Sequence, residues 1–68
     1  MQEIKIETEI IKLDAFMKWA AIVSSGAEAK MMIQEELVLV NGDVEIRRGK
    51  KLSKGDIVQF EDVEYKIV

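Results

Sequence analysis

The sequence predicts an α+β fold in which two helices pack on a small, mostly antiparallel sheet, and three observations lead to it. With 68 residues, of which 49% are apolar and 34% charged, residues 1–68 should form one small domain with no room for a second. Apolar residues recur with helical spacing over residues 13–35 and alternate with polar residues near both ends of the chain. An Asn-Gly pair also lies between two β-prone runs, which is the strongest short hairpin signal.

The first predicted elements are a strand and a helix. Ile4 and Ile6 alternate with charged residues, and this pattern predicts a short N-terminal strand. A helix is predicted over residues 13–22, because five apolar residues fall on one side of its helical wheel. These residues are Leu13, Phe16, Met17, Ala20 and Ala21.

A second helix is predicted over residues 27–35. Ser24-Ser25-Gly26 interrupts the first helical pattern, and a serine in this place can accept a hydrogen bond from the free N–H groups of the next helix. Ala29, Met32 and Ile33 share one face and should be buried, whereas Met31 points away from them.

The rest of the chain predicts strands. Residues 37–46 are predicted to form a hairpin that turns at Asn41-Gly42, where both turn residues need a positive φ. Residues 47–54 follow as a basic loop, and Lys54-Gly55-Asp56 turns into two more strands. The residues of these strands that should face the helices alternate with polar neighbours. They are Val58, Phe60, Val63, Tyr65 and Ile67.

Positive charge is concentrated in one segment, although the net charge is −3. Residues 1–46 contain four basic and nine acidic residues, residues 47–54 five basic and no acidic ones, and residues 55–68 one basic and four acidic ones. A lysine-rich edge can simply discourage strand pairing. Five bases within eight residues of an otherwise acidic chain favour an anion-binding site.

The residue types that are missing exclude most catalytic chemistry. Without Cys or His there is no disulfide framework, thiolate nucleophile or imidazole base, and the usual ligands of zinc are lacking. No apolar run approaches the roughly 20 residues that span a bilayer, and no signal-type stretch begins the chain. We therefore expect a cytoplasmic, non-catalytic protein without cofactor or metal.

Several motifs, taken in order, resemble the RNA-binding domain of ribosomal protein S-four, also called the αL motif. The resemblance extends to the small stand-alone bacterial members of this superfamily, of the YaaA type, and covers roughly residues 11–60. No single piece is specific, but the ordered set at these spacings is a fairly strong signal. The motifs are Ile11-Lys12-Leu13-Asp14, Ser24-Ser25-Gly26-Ala27-Glu28-Ala29-Lys30, Val38-Leu39-Val40-Asn41-Gly42, Arg47-Arg48-Gly49-Lys50-Lys51-Leu52 and Lys54-Gly55-Asp56-Ile57-Val58.

The resemblance implies that the two helices and the adjoining loop recognise the backbone and shape of a folded RNA. Basic side chains would meet phosphates, and the free N–H groups at the start of the second helix would add a weak anion site. Carried over onto this sequence, the RNA-binding residues are Lys12, Ser25, Gly26, Lys30, Asn41, Arg47, Arg48, Lys50 and Lys51. We expect Lys12, Lys30 and the 47–51 loop to share one side of the molecule.

Three positions depart from the family pattern. The family commonly has Arg where Gly26 stands, so one phosphate contact is lost here. It commonly has Gly where Ala21 and Glu36 stand, so these two residues should adopt conformations that glycine takes more readily. Glu36 also places a negative charge near a helix C-terminus, where the helix dipole disfavours it.

Some residues have simpler structural interpretations. Asn41 could be a turn residue only, or it could reach a phosphate or ribose. Trp19 lies at the border of the apolar side of its helix, which favours a place at the core edge over base stacking. The acidic pairs Glu35-Glu36 and Glu61-Asp62 are solvated surface rather than a general acid and base.

Two functions remain in competition. A module for structured RNA, ribosomal or transfer RNA, explains both the basic segment and the resemblance. A protein-interaction adaptor, which would use the basic loop or a sheet edge, explains the net charge equally well. A ubiquitin-like or sulfur-carrier role is disfavoured because Lys66-Ile67-Val68 lacks a terminal glycine pair. We expect a monomer that binds RNA, with a ribosomal particle or a protein as a further partner and no membrane.

Overall fold

The computed structural model describes residues 1–68 and contains seven strands and two helices. They are β1 (Gln2–Ile4), β2 (Ile10–Lys12), α1 (Leu13–Trp19), α2 (Gly26–Gln34), β3 (Val38–Val40), β4 (Asp43–Val44), β5 (Lys51–Ser53), β6 (Ile57–Phe60) and β7 (Val63–Ile67). The α+β class predicted from the sequence is confirmed.

Five of the strands form one sheet in the order β1-β7-β6-β3-β4. All its neighbouring strands are antiparallel except β1 and β7, which are parallel. In the centre of the sheet, Val38 lies opposite Phe60 and Val40 opposite Val58. The remaining two strands, β2 and β5, form a separate antiparallel ribbon.

The core lies between the helices and one face of the five-stranded sheet. All thirteen buried residues are apolar, so no buried polar group needs a partner. Phe16, Ile33 and Phe60 belong to this core, as the sequence pattern predicts. The other buried residues are Ile6, Leu13, Met17, Val23, Ala29, Val38, Val40, Leu52, Val58 and Ile67. Met31 is 53% exposed, as expected from its place on the helical wheel.

Two tight turns build the antiparallel part of the sheet. Asn41 and Gly42, with φ values of 51° and 89°, connect β3 to β4 in the predicted hairpin. Glu61 and Asp62, with φ values of 52° and 64°, connect β6 to β7 in the same way. Both turns therefore have the two positive φ values typical of a two-residue hairpin loop.

Both helices end at a residue in the left-handed conformation. The φ of Ala21 is 59° and that of Glu36 is 61°. The N–H of Ala21 donates to the Lys18 carbonyl, and the next N–H, from Ile22, donates to the Met17 carbonyl, at 3.0 and 2.9 Å. The equivalent pair of bonds follows α2, so both ends are Schellman motifs. The expectation that Ala21 and Glu36 adopt glycine-like conformations is confirmed.

Several predicted boundaries and faces are wrong. The first helix ends at Trp19 rather than at residue 22, because the left-handed turn reverses the chain and leaves Ala21 exposed. The second helix starts one residue earlier than predicted, at Gly26, and ends at Gln34. The N-terminal strand stops at Ile4, and the buried Ile6 follows it. Val63, the first residue of β7, is 36% exposed instead of buried.

The predicted basic loop is also partly a strand. Lys51 begins β5, which pairs with β2 over residues 10–12, a strand that the sequence pattern did not predict. Three-residue strands are too short to show a clear alternation, so only their pairing identifies them.

Candidate nucleic-acid interface

The β2–β5 ribbon places two lysines side by side. Lys12 lies directly opposite Lys51 in the antiparallel register, and both side chains are exposed. Directly opposed residues point to the same face with their Cβ atoms about 5 Å apart, and like charges in this arrangement destabilise the pairing. A pair that disfavours folding in this way is well placed to bind an anion between or above the two ammonium groups.

The other face of the ribbon holds it on the core. Ile11 lies opposite Leu52, and Leu52 is 1% exposed. Leu52 is buried in the core and Ile11 is partly buried against it, which fixes the register, and a slip of β2 by one residue would turn Lys12 inward. The direction of the lysines is therefore set by the hydrophobic core.

The backbone of residues 48–50 is bound to the start of α1. The N–H of Leu13 donates to the Lys50 carbonyl at 2.9 Å, and the N–H of Asp14 donates to the Arg48 carbonyl at 3.1 Å. These carbonyls satisfy two N–H groups that a helix leaves free at its first turn. The basic segment is thus held in place while the Arg48 side chain remains exposed. We call Lys12, Arg48, Lys50 and Lys51 the basic ribbon.

Arg47 is paired within the protein. Its Nε and one terminal nitrogen donate to the two oxygens of Glu45 at 3.0 and 3.3 Å, and its backbone N–H also donates to that carboxylate. The hydrogen bonds from Arg47 lower the pKa of the Glu45 carboxyl, so this charge persists in mildly acidic solution. Part of the charge of Arg47 is therefore already compensated. The sequence contained this signal, because the acid stands two residues before the arginine.

A second group of predicted residues lies at the start of α2. Ser25 caps the helix by accepting a hydrogen bond from the N–H of Glu28 at 3.1 Å. Glu28 in turn accepts a hydrogen bond from the N–H of Ser24 at 2.8 Å, so a carboxylate already occupies part of this helix end. Gly26 and the exposed Lys30 are four residues apart and therefore lie on the same side of the helix.

Asn41 is engaged in a contact between two turns. Its Nδ2 donates to Asp56 at 3.1 Å, and its Oδ1 accepts from the N–H of Ile57 at 2.9 Å. Asp56 also accepts a hydrogen bond from the N–H of Ser53 at 2.8 Å. The Asn41 amide thus joins the β3–β4 turn to the segment between β5 and β6. Asp56, which the sequence offers only as part of a turn, is the partner that sequence reasoning missed.

The structure therefore joins some of the predicted residues and leaves others in separate groups. The basic ribbon is one cluster, and Arg47 adjoins it through the turn in which the N–H of Lys50 donates to the Arg47 carbonyl. Ser25, Gly26 and Lys30 form a second group on α2, which packs against α1. That this second group faces the same ligand as the ribbon stays a prediction. Neither helix is long and apolar enough to cross a membrane.

Comparison with known proteins adds to this geometry. Residues 4–68 match the family model of the S4 domain. Over 58 residues, the chain is 47% identical to a Bacillus subtilis (strain 168) protein named probable ribosome maturation protein RlbA. This alignment covers 85% of the chain and 82% of the relative. Both helices and the basic ribbon lie within the residues that match the family.

Proposed function

The chain belongs to the S4 domain family, and from this membership and the basic ribbon we propose that it is a non-catalytic module that binds structured RNA. The single observation that supports this most is the exposed Lys12–Lys51 pair, next to Arg48 and Lys50 on a backbone that is bonded to α1. Cations gathered on a fixed framework meet the phosphates of a folded RNA without first having to be ordered.

The geometry favours recognition of backbone and shape over recognition of base sequence. Lysines act as point charges toward phosphate, and Arg48 can form two parallel hydrogen bonds with one. Arg47 adds to this contact only if a phosphate takes the place of Glu45, or if its unpaired donors reach one. Most of the binding free energy would therefore depend on salt.

The name of the relative supports one class of RNA. Since that protein is named for ribosome maturation, we propose ribosomal RNA, on a cytoplasmic ribosomal particle, as the partner, with transfer RNA as the alternative substrate. The adaptor function keeps one observation in its favour. Exposed apolar side chains lie in and beside the β3–β4 hairpin at the edge of the sheet, where a protein could pack. They are Leu37, Val44 and Ile46, which are 47%, 48% and 63% exposed.

A pair of matched variants tests the function. Lys12→Gln with Lys51→Gln removes two charges from the ribbon, and Lys5→Gln with Lys66→Gln removes two from elsewhere, so both variants have the same net charge. We expect the ribbon variant to bind structured RNA more weakly and to reduce the slope of log affinity against log salt by about 1.4–1.8. The control variant should retain nearly the slope of the parent.

Folding is not expected to limit this test, because the exposed lysine pair repels itself and holds no core. Circular dichroism should show an unchanged or slightly higher melting temperature for the ribbon variant. If the folded ribbon variant and the control bind RNA equally well, the phosphate-binding role is wrong and the adaptor function takes its place.

A further inference from the structure

A solvent-open groove lies beside the basic ribbon, between β2 and the exposed side of α1. Its volume is about 430 Å³, and Ile11, Ala15, Lys18 and Trp19 line it. A smaller cavity of about 220 Å³ adjoins it and shares Ile11 and Trp19. We propose that this groove binds one unpaired nucleobase of the RNA, stacked on the indole of Trp19. The proposal rests on the RNA-binding function and adds a second kind of contact to it.

Trp19 presents a fixed aromatic surface to solvent. It is 55% exposed and lies outside the core, whose thirteen residues are all buried. Its Nε1 donates to the Lys5 carbonyl at 2.8 Å, so the polar atom of the indole is satisfied within the protein and the ring is held in one orientation. What remains open is apolar ring surface. Any base can stack on such a surface, because every base has a π-face.

The groove lies within reach of an RNA strand on the ribbon. Ile11, which lines the groove, directly precedes Lys12 of the ribbon, so the two side chains leave opposite faces of β2 and an RNA strand would have to pass around the edge of β2 to reach both. Trp19 is six residues beyond the start of α1, a distance of about 9 Å along the helix axis. Stacked nucleotides of one strand are about 3.4 Å apart, so about three nucleotides connect a phosphate at the ribbon to a base at Trp19.

The charges around the groove favour a neutral base inside it. Lys18 forms one wall and can meet the phosphate of the stacked nucleotide. Glu7 lines the adjoining cavity and repels phosphates there. A strand would therefore enter from the side of the ribbon and Lys18 and place its base, not its backbone, toward Ile11 and Trp19.

The fluorescence of Trp19 gives a direct test, since the chain has no other tryptophan. The probes are a short blunt-ended RNA duplex and the same duplex with three unpaired adenosines at one 3′ end. We expect the extended duplex to quench the emission of Trp19 and to bind more tightly. The blunt duplex should bind through the ribbon without quenching.

Two variants separate stacking from the hydrogen bond to Lys5. Trp19→Leu and Trp19→Phe both remove the indole donor, but only Trp19→Phe retains an aromatic face. We expect Trp19→Leu to weaken binding of the extended duplex about 5- to 150-fold, which equals about 1–3 kcal/mol, and to leave the blunt duplex unaffected. Trp19→Phe should lose much less of its affinity for the extended duplex.

The outcomes distinguish this proposal from the function on which it rests. Unchanged emission with saturating extended duplex would refute stacking, even if both duplexes bind, and it requires no variant to fold. Equal binding of the extended duplex by the parent and a folded Trp19→Leu would refute it as well, and the exposed indole would then be a protein contact. A parent that binds neither duplex would overturn the RNA function and the groove assignment together.

Discussion

Replacing Ala21 by glycine should make this protein more stable. Ala21 has a φ of 59° at the end of α1, where a Cβ crowds the backbone, and a non-glycine residue loses roughly 1–2 kcal/mol in this conformation. The side chain is exposed, so its removal costs little packing. Glycine also makes the unfolded chain more flexible, which offsets about 0.4–1 kcal/mol of the gain. The net stabilisation should be about 0.5–1 kcal/mol.

Thermal and urea unfolding, followed by circular dichroism, measure this change. For a domain of this size the gain corresponds to an increase in melting temperature of about 2–8 °C. Ala20→Gly is the matched control, because the adjacent Ala20 has a φ of −81° and no strain to relieve. It should lower stability by at least about 0.4–1 kcal/mol, because glycine adds flexibility to the unfolded chain and the partly buried Ala20 side chain packs against the core.

The same reasoning applies at the end of α2. Glu36→Gly relieves a φ of 61° and also removes a negative charge from the helix C-terminus, so its gain should be at least as large. If Ala21→Gly melts at or below the temperature of the parent, the strain at this position is smaller than the entropy that glycine adds. The explanation of the two helix ends would then be wrong.

Two further changes test the core and the second basic group. Phe60→Ala should leave the protein largely unfolded at room temperature, because truncating a Phe that is 8% exposed costs about 3–5 kcal/mol. The control, Gln59→Ala on the opposite face of the strand, should melt at nearly the temperature of the parent. A cooperative melt of Phe60→Ala near that temperature would contradict the packing. Gly26→Arg should bind RNA more tightly and increase the salt slope by about 0.7–0.9, because it adds one cation. A Cβ at this position meets no atom within 4 Å, so the fold has room for the new side chain. Gly26→Gln is its uncharged control, and equal binding by the two variants would remove α2 from the interface.

The basic ribbon shows how far sequence reasoning reaches. The concentration of positive charge in residues 47–54 and the lysine before the first helix are visible in the sequence. That Lys12 and Lys51 lie side by side is not visible in the sequence, because they are far apart in the chain and come together only when β2 pairs with β5. Strands of three residues leave no periodic signal, and their pairing is favoured by the burial of Leu52 with the partly buried Ile11 opposite it.

The polar partners of Arg47 and Asn41 differ in how far they can be predicted from the sequence. Glu45 is close to Arg47 in the chain, so the pairing that reduces its free charge could have been read from the sequence. Asp56 is distant from Asn41, and only the arrangement of the two turns brings the amide and the carboxylate to 3.1 Å. An asparagine that fits a hairpin turn therefore gives no information about where its side chain finds a partner.

The sequence by itself determined the two helices, the Asn-Gly hairpin, the apolar faces and the segregation of charge, since all of these depend on residue type and local spacing. The tertiary structure decided where α1 ends, which strands pair, and which cations share a surface. Those features depend on contacts between distant residues and on backbone conformations that packing imposes against local preference, such as the left-handed Ala21. Local chemistry fixes the helices and the Asn-Gly hairpin, and the free energy of burying distant segments together fixes the short strands and the site.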